Sequence, residues 1–135
     1  MTIQSDKAKT ALVTGGASGI GLASVTLLAQ QSVRVAMNHL EDDPQGPEQI
    51  EKLRAQGLDV ISAPGNVSVP GNAEAMVDTA ISKLGGLDYL VNNAGIAGTR
   101  DPIPASELDR IDEDLWMALL NTNLIGVFRC SKAAA

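Results

Sequence analysis

Aromatic side chains are nearly absent from this chain, which has one Phe, one Trp and one Tyr in 135 residues. Any core must therefore be aliphatic, built from Ala, Val, Leu and Ile, as in layered α/β proteins. Cysteine is just as scarce. Cys130 stands alone, which excludes an internal disulfide and suits a reducing compartment. Basic residues are outnumbered, 10 Lys and Arg against 16 Asp and Glu, for a net charge of −6. A surface of that sign repels a polyanion, so nucleic acid is not an expected partner. No apolar run approaches the length of a membrane span, and the first ten residues, MTIQSDKAKT, lack the apolar stretch of a signal peptide. The expectation is a cytoplasmic protein with no membrane partner and no metal site. Hydrophobic residues are plentiful at 44%, against 19% charged, which excludes disorder and leaves material for one core.

Strand and helix signals alternate along the chain. Residues 10–14 (TALVT) form a short apolar run ending in glycine, a buried strand in character. Residues 18–31 carry Ile20, Ala23, Leu27 and Leu28 at helical spacing. A second strand is predicted at 33–38 (VRVAMN), then a polar turn at 41–47, a helix at 48–56 stopped by Gly57, and a third strand at 60–63. Ala73, Met76, Val77, Ala80 and Leu84 make an amphipathic stripe for a helix ending at Gly85 and Gly86. Residues 87–91 (LDYLV) read as the fourth strand, residues 95–109 as a loop, and the pattern is helical again from Asp112. Strands separated by helices imply parallel pairing through right-handed crossovers. The expected fold class is α/β, a Rossmann-type doubly wound parallel sheet. Its ligand site should lie at the carboxyl ends of the strands, around residues 15–21 and 92–95.

The first strand runs into Thr14-Gly15-Gly16-Ala17-Ser18-Gly19-Ile20-Gly21, which opens a helix. Glycine lets the backbone turn tightly and approach a pyrophosphate without a Cβ in the way. The helix start then offers free N–H donors and a positive dipole end. The plainer reading is a tight turn with no ligand, which four glycines in seven residues at the first strand make a poor account of the pattern.

The spacing T-G-x-x-x-G-x-G resembles the short-chain dehydrogenase/reductase family, as do Asn92-Asn93-Ala94-Gly95 after the fourth strand and Asn123-Leu124-Ile125-Gly126-Val127-Phe128 in the last helix. The resemblance implies an NAD- or NADP-dependent oxidoreductase acting on a small alcohol or carbonyl, and a homo-oligomer when intact. Gly15, Ser18, Gly19, Ile20 and Gly21 would line the phosphates and nicotinamide ribose. Asn93, Ala94 and Gly95 would pass along the adenine ribose, with Asn92 tying strands together. Asn66 and Val67 would contact adenine, Asn66 standing where the family usually has Asp. His39 aligns with the position that separates NAD from NADP and is read as an exposed turn residue. With no acid there, little discrimination or a slight lean to NADP is expected, while Glu41, Asp42 and Asp43 would oppose a 2′-phosphate if they pointed inward.

The family also implies a catalytic role for Asn123, which holds a water in its proton relay. Trp116, Leu119, Leu120, Val127 and Cys130 share a helical stripe with Asn123, which places this polar side chain on a buried face where it needs partners. Leu115 and Leu124 fall off that stripe and are left for self-association. The family's remaining groups, a Ser and a Tyr-x-x-x-Lys pair, are not found, and Tyr89 lies within a strand. Residues 1–135 are accordingly expected to be one dinucleotide-binding domain, incomplete at its carboxyl end, binding coenzyme weakly and turning over nothing alone. A non-catalytic dinucleotide-binding or interaction module is the alternative, and a methyltransferase-type Rossmann domain is a more distant one.

Overall fold

The computed structural model describes residues 7–135. Four strands form one parallel sheet in the order β3-β2-β1-β4: β1 (Thr10–Val13), β2 (Arg34–His39), β3 (Val60–Pro64) and β4 (Tyr89–Val91). The chain winds outward from β1 through β2 to β3, then returns to add β4 on the other flank of β1. That reversal opens a crevice between the carboxyl ends of β1 and β4, where sheets of this kind carry ligands. Helices α1 (Gly19–Gln30), α2 (Gln45–Ala55) and α3 (Asn72–Leu84) connect the strands.

Side-chain alternation along the strands divides the core in two. Ala11 and Val13 join Val35 and Met37 beneath Val25 and Ala29 of α1 and Ile50 and Leu53 of α2. Leu12 and Ala36 point the other way, onto Met76, Val77 and Ala80 of α3. Both faces being covered, β1 reads as an uninterrupted apolar run, as buried parallel strands do. Leu12 is fully buried, and truncating such a residue to Ala costs about 2–5 kcal/mol.

Several boundaries differ from the sequence reading. The inward stripe of α1 is Gly21, Val25 and Ala29, while Ile20 is 80% exposed and Leu27 61% exposed. An apolar helix such as α1 has no periodicity strong enough to fix its rotation, so the residue that must face the sheet decides. That residue is Gly21, which packs directly on the Gly15 carbonyl. Helix α2 begins at Gln45, taking Pro47 into its first turn, where the missing N–H has no partner to lose. The second strand extends through His39.

The last helical stretch is three pieces. A 3₁₀ segment (Ala105–Arg110) leads to α4 (Glu113–Leu120), a π-helical turn (Asn121–Ile125) and α5 (Gly126–Ala134). Asp112 caps α4, accepting the Leu115 N–H at 2.8 Å, as the predicted start requires. The π turn adds residues to the spiral and breaks the predicted stripe. Trp116 is mostly exposed, no residue of α4 is buried, and Asn123 is exposed rather than on a buried face. Leu115 and Leu124, expected off the stripe, share one apolar hollow with Trp116, Leu119 and Leu120. Gly126, Arg129 and Cys130 of α5 are buried, and Ala133 and Ala134 pack partly buried against the core. Burial first, and the Glu74 carboxylate second, push the Cys130 thiol above its ordinary value, leaving an inert sulfur.

At the opposite end of the sheet Asp88 closes the β1–β4 pair. Its carboxylate accepts the Thr10 N–H at 2.8 Å and Lys9 Nζ at 3.2 Å, while its own N–H donates to the Thr10 hydroxyl. The Thr10 backbone donor first, and Lys9 next, hold the Asp88 carboxyl below the ordinary aspartate value of 3.8. A lowered native pKa stabilises the fold above the unfolded value, and that contribution fades as pH falls through the native one. Asp88→Asn should therefore lower the melting temperature at neutral pH, with the gap from the parent closing below about pH 3.8. A gap independent of pH down to 2 or so would contradict this account.

Candidate functional site

The glycine turn after β1 is held from both flanks by carboxamides. Asn38, buried at the end of β2, accepts the Gly15 N–H at 3.0 Å through Oδ1. Its Nδ2 donates to the carbonyls of Ala63 and Gly65, both at 3.0 Å. From the other side, Asn93 Nδ2 donates to the carbonyls of Thr14 and Gly15, both at 3.1 Å, and the Thr14 hydroxyl accepts the N–H groups of Asn93 and Ala94. Buried backbone groups must be paired. Here two amides, each both giving and taking or reaching two carbonyls, pair a loop that has no ladder of its own.

This assigns Asn92 and Asn93 differently from the sequence reading. Asn93 is the residue that ties β1 to β4, and Asn92 donates instead to the Ser131 hydroxyl of α5 at 3.1 Å. Asn38 is absent from the sequence-derived site, although a carboxamide ending an apolar strand was the available signal.

A cavity of about 360 Å³ opens above the switch point. Seven of the expected residues line it: Gly15, Ser18, His39, Asn66, Val67, Ala94 and Gly95. Asp43, Ser68, Ile96 and Thr122 complete the wall with Ala17, Asn38 and Leu40. Gly19, Ile20, Gly21 and Asn93 do not line it. Gly19 sits at φ +51, and a Cβ there would meet nothing within 4 Å, so its glycine serves the backbone conformation. A Cβ on Gly21 would lie 2.0 Å from the Gly15 carbonyl oxygen, so its glycine serves the packing of α1 on the turn.

His39 is buried at 6% exposure, which corrects its reading as an exposed turn residue. Its Nδ1 lies 2.7 Å from the Leu40 carbonyl and its Nε2 2.7 Å from the Ser62 hydroxyl. A carbonyl can only accept, so neutral His39 carries its proton on Nδ1 and Nε2 accepts from Ser62. Gly46 of α2 packs on the ring so closely that a Cβ there would meet His39 Cγ at 2.2 Å. The solvated acids follow: Glu41 and Asp42 are exposed, but Asp43 enters the cavity wall while accepting the Gln45 N–H at 2.9 Å. Among the described residues it is the only charged side chain there.

Asn66 accepts the N–H and hydroxyl of Ser68 through Oδ1, at 2.9 and 2.7 Å. Its Nδ2 donors have no protein partner among the described residues and remain for a ligand. At the far end Asn123 clamps the loop after β4. Its Oδ1 accepts the Ile96 N–H at 2.8 Å and its Nδ2 donates to the Ile96 carbonyl at 2.9 Å. Gly95 leaves room for this, since a Cβ would stand 3.2 Å from Asn123 Oδ1. Thr122 and Ile96 line the cavity at the switch point, whereas Asn123 and Ala97 line the apolar hollow. Asn123 thus stands where the two spaces meet.

The site presents Gly15, Ala17 and the Ser18 N-cap of α1, with no Lys or Arg in its wall among the described residues.

A family model described as short chain dehydrogenase matches residues 9–135. The 3-oxoacyl-[acyl-carrier-protein] reductase FabG of Staphylococcus aureus is 38% identical over 126 residues, covering 93% of this chain and 49% of the relative. The 3-oxoacyl-[acyl-carrier-protein] reductase of Synechocystis sp. is 34% identical over 128 residues, 95% of this chain and 49% of its own. The chain spans about half the length of the curated relatives it matches. Among solved structures, a variant of actinorhodin polyketide ketoreductase with NADPH superposes with a TM-score of 0.81 at 31% identity, covering 94% of this chain and 46% of that one. A short chain dehydrogenase from Burkholderia cenocepacia in complex with NADP gives 0.80 at 35% identity, over 93% and 49%.

The two glycines of the turn separate by experiment. Gly19→Ala should cost about 1 kcal/mol for its left-handed backbone and keep the fold. Gly21→Ala should cost at least about 3 kcal/mol, because backbone and helix must part. Chemical denaturation checks both, and equal costs would overturn the distinction.

Proposed function

The chain belongs to the short-chain dehydrogenase/reductase family, and from that membership we propose that it is the coenzyme-binding part of an NAD(P)-dependent oxidoreductase acting on a small alcohol or carbonyl. The observation that carries this reading is the cavity at the switch point, walled by the glycine turn, the loop after β3 and residues 94–96, with Asn123 at its end.

The bound dinucleotide would supply hydride to a carbonyl in its reduced form, or take hydride from an alcohol in its oxidised form. The protein's part is binding and orientation. Backbone N–H groups at residues 19–21 have no intrahelical partner and would hold the pyrophosphate, next to Gly15 and Ser18. Val67 would lie against adenine, with Asn66 Nδ2 donating to the ring. Ala94 and Gly95 offer a bare backbone surface to the adenosine ribose. Asn93 contributes through the turn it fixes. Asn123, clamped to Ile96 and bordering the apolar hollow, would hold its place in the proton relay, and the hollow's Leu and Ile side chains would take the apolar part of a substrate.

Coenzyme choice falls to Asp43 rather than His39, whose ring is packed away beneath α2. No cation in the wall among the described residues would meet a 2′-phosphate, and the Asp43 carboxylate would oppose one, so NADH should bind more tightly than NADPH, by up to about tenfold, or about 1.4 kcal/mol. The exposed Met117 and Phe128, outside the apolar hollow, support self-association of the intact protein. Light scattering should show at least a dimer at micromolar concentration, and a monomer would remove that part of the reading.

The central test is calorimetric titration of the native protein with NADH and NADPH, then absorbance with a panel of ketones and aldehydes. Both coenzymes should bind, Asp43→Asn should improve NADPH over NADH, and turnover should fall at least about 100-fold in Asn123→Ala. Residues 1–135 alone should bind weakly and turn over nothing. Binding without turnover in the native protein would favour a non-catalytic module. Absence of binding would overturn the assignment.

A further inference from the structure

Arg129 is a buried guanidinium that the scheme above does not use. It projects from α5 at 9% exposure, and no carboxylate pairs with it among the described residues. A buried unpaired cation is costly unless hydrogen bonds replace its water. Carbonyl oxygens do so here. Nη1 lies 3.2 Å from the Val67 carbonyl, 3.1 Å from that of Ser68 and 3.4 Å from that of Asn121, and Nη2 lies 3.5 Å from Asn121 Oδ1.

These acceptors belong to two walls of the same cavity. Val67 and Ser68 form its wall after β3, and Thr122, next to Asn121, forms the wall at the π turn. The Asn121 carbonyl also accepts the Gly126 N–H that closes this turn, and one residue past Thr122 stands Asn123 with its grip on Ile96. Gly126 allows the walls to meet, since a Cβ on it would lie 3.0 Å from Val67 Cγ2. Beyond that contact, Arg129 is the side chain that fastens them.

We infer that Arg129 is a positioning residue that fixes the distance between the adenine-side wall and the Asn123 turn, so that both halves of a dinucleotide can be engaged at once. This rests on the coenzyme reading above. A dinucleotide is two ligands joined by a linker, and its gain over either half depends on the two subsites standing at the span of that linker. A planar fork can hold both walls, whereas a lysine is a single point that reaches one. Arg129 itself touches no part of the coenzyme.

The test uses the native protein, Arg129→Lys, and three probes: NADH, AMP and nicotinamide mononucleotide. Calorimetry should show NADH affinity falling at least about tenfold in Arg129→Lys, with both mononucleotides within about twofold of the parent. A fold-stabilising role alone would lower the melting temperature and leave these ratios unmoved. Added methylguanidinium should restore part of the NADH affinity to Arg129→Ala. Unchanged NADH affinity in a folded Arg129→Lys would overturn the proposal, as would an equal loss for NADH and AMP, which would mean a damaged adenine wall. If Arg129→Lys does not fold, Asn121→Ala decides, since it removes the Nη2 acceptor. A selective loss for NADH supports the clamp, and no loss overturns it. A parent that binds none of the three probes would instead overturn the coenzyme reading, and the clamp with it.

Discussion

The functional end of this sheet depends on pairing the backbone of the glycine turn. A loop bent that sharply at the top of a buried strand cannot satisfy its polar groups with a regular ladder, and the apolar layers on either face exclude water. Asn38 and Asn93 solve the problem from opposite flanks. Asn38 needs both an acceptor and donors, so neither Asp nor a hydrophobic isostere could replace it without leaving the Gly15 N–H or two carbonyls unmade. The cavity exists because the turn is held, and the turn holds because side chains join three strand ends alongside the backbone bonds from Thr14 to Val91, Gly16 to Asn38 and Gly65 to His39.

Much of this was legible in the residues. The apolar β1 run, the α3 stripe and the helix beginning at Asp112 each state their structure locally, and periodicity suffices to find them. Seven cavity residues were likewise legible, because motif spacing carries their geometry. What escaped were features decided by distant partners. The rotation of α1 is set by Gly21 meeting the Gly15 carbonyl, a contact that no hydrophobic pattern records. His39 is buried because Gly46 leaves space for its ring, and Asn123 is exposed because a π turn interrupts the spiral. Asn38 and Arg129 were missed for one reason: each bonds backbone atoms, whose positions only the folded chain supplies.

The electrostatics of the cavity are spare. With Asp43 as the only charge in the wall among the described residues, attraction for an anion would come from oriented amides where the turn enters α1 at Ser18. Such donors are fixed by the fold and need no flexible side chain to be ordered when a ligand arrives. Arg129 lies behind the wall and directs its charge at carbonyls, acting on geometry instead of on the ligand's phosphates.

The strand order also carries a consequence for how the molecule assembles. Pairing Ala11 with Val35 closes a short stretch of chain, whereas pairing Ala11 with Tyr89 closes one more than three times as long. The longer closure costs about 1 kcal/mol more in chain entropy, and contacts distant in sequence slow folding. The β1–β2–β3 half is thus expected to organise first, with β4 docking late. Since the cavity is bounded by β1 on one side and the loop after β4 on the other, it comes into being only at that last step. A ligand there would meet the finished sheet and no earlier state, and would hold the late-formed edge in place by mass action.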